Sequence, residues 1–354
     1  MKSPSLQVLA LALLTLGAGF WGLGWTLPSK QRLAWLLPAG LDNPEFHKSL
    51  QESWRKMHES LGENLMIASQ ELTSFQGLQQ VPGGWKEPPP LLVNCVRSFY
   101  LRSAHDDEQT FLILFSKMRP KQLDFRPRMY LYGGGYLYPL GAWMGGFALL
   151  GVGHLSRELT AYFARPDWLA GLYLSGRLFS VFAWLGVVLL AWRLGRRLIG
   201  ECCGFGAALV CALSPGAMVQ THVMKQHTLW PLWALACFGV CLRILEGGSQ
   251  HSGPQQPRWL TSGPLRNYLL AGALAGLAAG TFTLAALVCL FPAAAALLRV
   301  LRRGADWKVE AKGLAAAAAA AVLAFFVVNP YWLADIPTVR AELATQAGYS
   351  AFHA

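Results

Sequence analysis

Charge is scarce in this sequence: only 14% of its 354 residues are charged, against 54% that are hydrophobic. A soluble protein of this size covers its surface with far more charge, so the composition excludes that class and indicates an integral membrane protein. Acidic residues are the scarcer sign, 19 against 30 Lys and Arg. The resulting excess of +11 is not a nucleic-acid signature. Its basic residues gather in Arg193–Arg197, Arg243–Arg266 and Arg299–Lys312, at the ends of apolar runs, as the positive-inside rule and contact with anionic lipid require. Cysteine gives neither a disulfide framework nor a zinc spacing, because six of the seven lie in or beside apolar segments and only Cys95 falls in polar sequence. Packing is the expected role of the adjacent Cys202 and Cys203. The internal repeat that marks many transporters is missing as well.

What the chain does have is a series of runs near the length that crosses a bilayer: Ser5–Thr26, Tyr136–His154, Leu169–Trp192, Cys203–Val223, Thr228–Leu245, Gly313–Asn329 and the long Leu269–Leu301, which has room for two short helices. The first run reads as a retained anchor, since no small-x-small cleavage site follows before Pro28. The expected fold is an all-α integral membrane protein, with an anchor over 1–26, a polar loop over 27–134 and a multi-pass module over 135–354. Within the loop, Asn43-Pro44 opens a helix. Its stripe of Phe46, Leu50, Trp54, Met57, Leu61 and Leu65 lies on the membrane surface or packs on the loop itself. Pro82-Gly-Gly and Pro88-Pro-Pro90 break the chain into irregular structure.

Charge leaves one topological conflict. With the N-terminus inside, a full crossing by Tyr136–His154 puts Arg193–Arg197 outside, against the charge rule. A re-entrant or interfacial segment puts every later basic cluster on the cytoplasmic side. A break within Leu269–Leu301 is the other resolution.

The acidic triplet Asp106-Asp107-Glu108 stands out between membrane segments. Adjacent carboxylates serve as a base with an orienting neighbour, or as a helix N-terminus with favourable charge. Lys117, Arg119, Lys121, Arg126 and Arg128 follow, a cluster suited to a phosphate leaving group or to lipid headgroups. Arg177 sits in an otherwise uncharged run, so it faces protein, water or an anion, or snorkels to an interface. His222, Lys225 and His227 fall between two apolar runs and contact substrate or solvent. His222 and His227 lack a metal-ligand spacing, and no metal or other cofactor is indicated.

The stretch His105-Asp-Asp-Glu108, followed by Met118, Pro127 and Tyr132-Gly-Gly-Gly-Tyr-Leu-Tyr-Pro139, resembles the first outer loop of GT-C glycosyltransferases, in the protein O-mannosyltransferase and aminoarabinose-transferase branch. Gly176-Arg-Leu-Phe-Ser180, Ala212-Leu-Ser-Pro215, Ala271–Ala278 and Asn329–Asp335 are similar to later blocks. The resemblance runs from about Arg97 onward. It implies a bacterial inner-membrane enzyme that passes a sugar from a polyprenyl-phosphate donor to a hydroxyl of a protein, lipid or glycan acceptor on the extracytoplasmic side. It also implies roles. Asp107 would be the catalytic base and Glu108 its neighbour, with Arg177, Arg126 and Arg128 on the donor phosphate. Asp106, Tyr136, Tyr138, Lys225 and His227 would touch substrate. Three departures accompany it: an insertion over residues 30–95, His227 where relatives carry an acid, and a chain that stops soon after Asp335. A lipid-linked sugar flippase and a non-catalytic membrane subunit are the alternative readings.

Overall fold

The computed structural model describes residues 4–32, 44–60, 100–103, 105–156, 161–247 and 264–352. Within them the chain is helical: α1 (Pro4–Phe20), α2 (Pro44–Ser60), α3 (Asp106–Lys117), α4 (Gly134–Leu149), α5 (Ala161–Ala164), α6 (Pro166–Leu198), α7 (Glu201–Leu213), α8 (Pro215–Thr221), α9 (Trp230–Glu246), α10 (Pro264–Thr281), α11 (Leu290–Arg303), α12 (Trp307–Val328), α13 (Tyr331–Ala334) and α14 (Ile336–Phe352). Two compact units form. The first holds Met1–Trp21, Leu131–Pro139 and Phe179–Ile336; the second holds Gly22–Tyr130, Leu140–Leu178 and Pro337–Ala354.

Among the described residues, four segments are long and apolar enough to cross a membrane: Pro166–Leu198, Gln226–Glu246, Thr283–Arg303 and Trp307–Val328. The pair α7 and α8 makes a fifth if its 57° bend is counted within one span. That bend falls at Ser214-Pro215, where proline has no amide to continue the helix and disfavours helical geometry in its predecessor. The apolar run Leu269–Leu301 divides, as its length allows, at a 3-10 stretch over Thr283–Cys289.

In the first unit α10 is the pivot, packing on both α9 and α12. Its Gly272, Ala275, Gly276 and Gly280 spacing lets backbones meet. A Cβ on Gly272 would stand 2.0 Å from the Ala317 carbonyl oxygen, and one on Gly276 would stand 2.2 Å from that of Ala321. The alanine-rich stretch of α12 is therefore a packing face of the small-residue kind. Cys237 and Cys241 are buried in this core, whereas Cys202 and Cys203 are exposed on α7; their expected packing role is not the one observed.

Polar contacts show which helix ends lie together. Arg197 pairs with Glu246 at the C-terminal ends of α6 and α9. Tyr268, Arg299 and Glu310 meet at the start of α10, the end of α11 and the start of α12. Trp192 donates to Gln7 at 3.0 Å, which brings the start of α1 to the same level of α6. The basic clusters thus share one end. At the other end, Asn329 accepts from the Gly134 amide at 2.8 Å and donates to the Gly280 carbonyl at 3.2 Å. Ser180 donates to the Val223 carbonyl at 2.8 Å, and His222 Nε2 lies 3.1 Å from the Gly19 carbonyl. The chain leaves this unit in α4 and returns to it in α6 at that same non-basic end. Within the first unit, Gly134 and Ser180 thus both lie at the non-basic end. Residues Gly134–Leu149 rise only about 24 Å as a helix, short of the roughly 30 Å hydrocarbon core.

Candidate functional site

The second unit is organised around the start of α3. His105 caps the helix: its Nδ1 accepts from the Asp107 amide at 3.3 Å, and its carbonyl accepts from the Glu108 amide at 3.2 Å. The cap bond uses the Nδ1 lone pair, so the ring proton sits on Nε2 while the cap is formed. The helical period then separates the two acids. Glu108, Phe111 and Leu114 share the inward stripe, and each is fully buried. Asp107, one position earlier, turns away from that stripe and keeps its side chain 23% exposed, with Oδ2 3.7 Å from His105 Nδ1. Asp106 opens the helix.

Burial of Glu108 is offset by Arg177. The guanidinium donates from Nε to Oε1 at 2.9 Å and from Nη2 to Oε2 at 2.8 Å, the two-pronged geometry that favours arginine over lysine. Its Nη1 donates to the carbonyls of Leu23 at 2.7 Å and Trp25 at 2.8 Å. Those carbonyls are available because α1 ends at Phe20 and the chain turns through Gly22, whose φ is +75°. Arg177 is therefore only 3% exposed, and all three nitrogens are engaged inside the protein. Arg177 and Glu108 thus hold each other inside the protein.

Further straps hold the same loop. Arg32 donates to the carbonyls of Thr26, at 2.7 Å, and of Arg102, and burial pulls its guanidinium pKa below the ordinary value. Tyr173 donates to the Leu101 carbonyl at 3.0 Å, and Tyr100 to the Phe163 carbonyl at 2.8 Å. Carbonyls that no helix can satisfy are thereby met by long polar side chains.

Arg126 and Arg128 belong to a turn built on Asp124. Arg119 and Asp124 exchange backbone bonds of 2.8 and 3.2 Å. The Asp124 carboxylate takes Arg128 Nη2 at 2.9 Å and lies 3.5 Å from Arg126 Nε. Their expected service to a phosphate therefore competes with an internal acid. At the edge of the turn Leu123 is 79% exposed. In α2, Phe46 and Leu50 are fully buried, so these two positions pack on protein; Leu61 and Leu65, Pro82-Gly-Gly, Pro88–Pro90 and Cys95 lie outside the described residues.

The other expected site residues belong to the first unit. Tyr136 is fully buried, with its ring edge-on to Phe179 at 5.7 Å. Tyr138 lies over Gly134. Lys225 precedes a 3-10 turn over Gln226–Thr228, and His227 meets Phe282 edge-on at 5.2 Å. The anchoring carbonyls of Leu23 and Trp25 had no signal in the sequence. Nor did Arg32, Tyr100 or Tyr173. Arg177 carried a signal, the isolation of its charge, but not the identity of its partner.

Comparison with protein-family models, with curated proteins and with solved structures returns no match to this chain. No family is assigned by it. The site's chemistry rests on its own geometry: one partly exposed carboxylate, presented on a capped helix end that a buried ion pair fastens in place.

Proposed function

We propose that this chain is a membrane glycosyltransferase of GT-C type, which moves a sugar from a polyprenyl-phosphate donor to an acceptor hydroxyl. The observation that carries this reading is the division of labour between adjacent acids. Glu108 is fully buried against Arg177, and Asp107 keeps its side chain 23% exposed. A base must reach the proton that it takes and be held in place while doing so; the partial exposure of Asp107 and its place on a capped helix start support it in that role. Clustering of the basic helix ends at one end of the first unit supports a cytoplasmic assignment for that end. It supports an extracytoplasmic one for the end where α6 begins.

In the reaction, an Asp107 carboxylate oxygen accepts the proton of the acceptor hydroxyl as its oxygen bonds to the anomeric carbon. The bond from that carbon to the phosphate oxygen breaks, and the lipid phosphate leaves with the electron pair. Single displacement inverts the anomeric configuration. The experiment is to supply the purified chain, in lipid, with polyprenyl-phosphate hexoses and an acceptor mixture. The reading predicts a glycosylated product of inverted configuration. Movement of the lipid-linked sugar across the bilayer with no product would favour a flippase and overturn the reading.

A further inference from the structure

Basic residues dominate the link between α3 and α4. Over residues 117–128 the chain carries five Lys and Arg against one acid, Asp124. Arg128 and Arg126 face that acid. Arg119 and Lys121 are exposed, and neither side chain has a partner among the described residues.

The same turn presents apolar side chains between its cations. Leu123 is 79% exposed and Phe125 39%. Leu123 has φ +56° and ψ +22°, the left-handed region where glycine or asparagine is usual. A leucine there holds an apolar side chain at the tip of the turn. The backbone beneath it is fixed by the Arg119–Asp124 exchange and by the Arg126 amide, which donates to the Asp124 carboxylate at 3.2 Å. Pro120 and Pro127 restrict it further. A turn so ordered loses little conformational entropy when it meets a partner.

Contacts inside the second unit carry this turn to apolar helices. Glu108, at the start of α3, is bound to Arg177 of α6, and α6 is long and apolar enough to cross a membrane. Phe115, near the end of α3, lies against α4: a Cβ on Gly141 would stand 2.8 Å from its ring. Trp143 of α4 donates in turn to the Ser175 carbonyl of α6 at 2.8 Å. From Glu108 to Met118 α3 advances only about 15 Å, so the turn stays within reach of the surface of a bilayer that α6 crosses. Two apolar side chains make too small a patch for a stable protein interface, which buries more than about 1,000 Å². A lipid surface needs no matching face. Basic side chains meet its phosphates while apolar ones enter between the headgroups.

We infer that the turn over residues 119–126 docks on an anionic bilayer surface, with Leu123 and Phe125 entering the headgroup region and Arg119 and Lys121 on lipid phosphates. The docking stands apart from sugar transfer and uses no group of the Asp107 site.

The test is amide hydrogen exchange of the full chain in lipid nanodiscs, made of phosphatidylcholine alone or of phosphatidylcholine mixed with phosphatidylglycerol. The amides of Gln122, Leu123 and Asp124, which bond within the turn, should exchange about tenfold more slowly in the mixed discs. High salt should erase the difference. Arg119→Gln combined with Lys121→Gln should abolish it, and Leu123→Ser should restore most of the faster exchange. These side chains are exposed, so the melting temperature should stay at the native value. Equal exchange of the native chain in the two discs would overturn the docking. A difference that survives the paired glutamine change would do the same. So would one that survives Leu123→Ser, because it would mark attraction of charge without insertion. Glycerol phosphate added to the phosphatidylcholine discs separates a bilayer from a free phosphate. Slowing by it to the level of the mixed discs would make the turn a phosphate site and reject the membrane as its partner.

Discussion

Glu108 and Arg177, 69 positions apart, are joined by two hydrogen bonds of 2.9 and 2.8 Å. Their side chains are 0% and 4% exposed. The pair connects the start of α3 to α6, and the same guanidinium reaches the turn after α1 through the Leu23 and Trp25 carbonyls. One cation thus fixes three segments of the second unit around Asp107.

Removing one member leaves the other as a buried, unpaired charge. Arg177→Ala should lower stability by about 3–5 kcal/mol, and Glu108→Ala by a similar amount. The double change Glu108→Leu, Arg177→Leu should be milder than the sum of the two, because neither charge remains. Thermal unfolding in a fixed detergent measures all three. Additive losses would remove the pair from the account.

Replacing His105 by Ala should cost about 1 kcal/mol through loss of the ring cap on the Asp107 amide. His105→Asn, which can restore a capping oxygen, should recover most of it. Parallel unfolding curves decide this, and equal stability of the native chain and His105→Ala would contradict the cap.

The Gly133–Gly135 turn passes against backbone. A Cβ on Gly134 would stand 2.0 Å from the Val328 carbonyl oxygen, so Gly134→Ala should give little folded protein. Asn329→Ala leaves the Gly134 amide and the Gly280 carbonyl without their partner. It should cost about 1–3 kcal/mol per orphaned group. Yield of monodisperse protein and its melting temperature are the readouts.

In the close pairing of α10 and α12, Gly276→Val should push the helices apart, since even a Cβ meets the Ala321 backbone. Leu274→Val, in the same helix, should be tolerated better. Cross-linking between cysteines introduced on the facing helices would report the separation; equal yields for the two variants would argue against the small-residue interface.

Helix positions were legible because apolar runs and their proline breaks are local properties of sequence. The division of Leu269–Leu301 and the bend at Ser214-Pro215 are both of this kind. The course of residues 134–179 was not, because charge counting gives parity alone. What places its two ends in the first unit is contacts over long separations, such as Asn329 with Gly134 and Ser180 with Val223. Asp107 and Glu108 were legible as a pair but not as different residues. Only the phase of α3, set by burial of Phe111 and Leu114, turns one acid inward. Arg177 announced a need for a partner, and Glu108 was already a candidate residue. Nothing local joined them. The buried Gln226 Oε1, which has no hydrogen-bond partner, gave no sign either, since such an oxygen exists only once the surrounding chain has closed over it.

The central claim, that Asp107 is the base, is tested by Asp107→Asn in the glycosyl-transfer assay. The substitution keeps size and helix start, so the melting temperature should be unchanged. Loss of a general base should reduce turnover by about 10²–10⁴-fold, with donor binding retained. Transfer by a folded Asp107→Asn protein at the native rate would contradict the account.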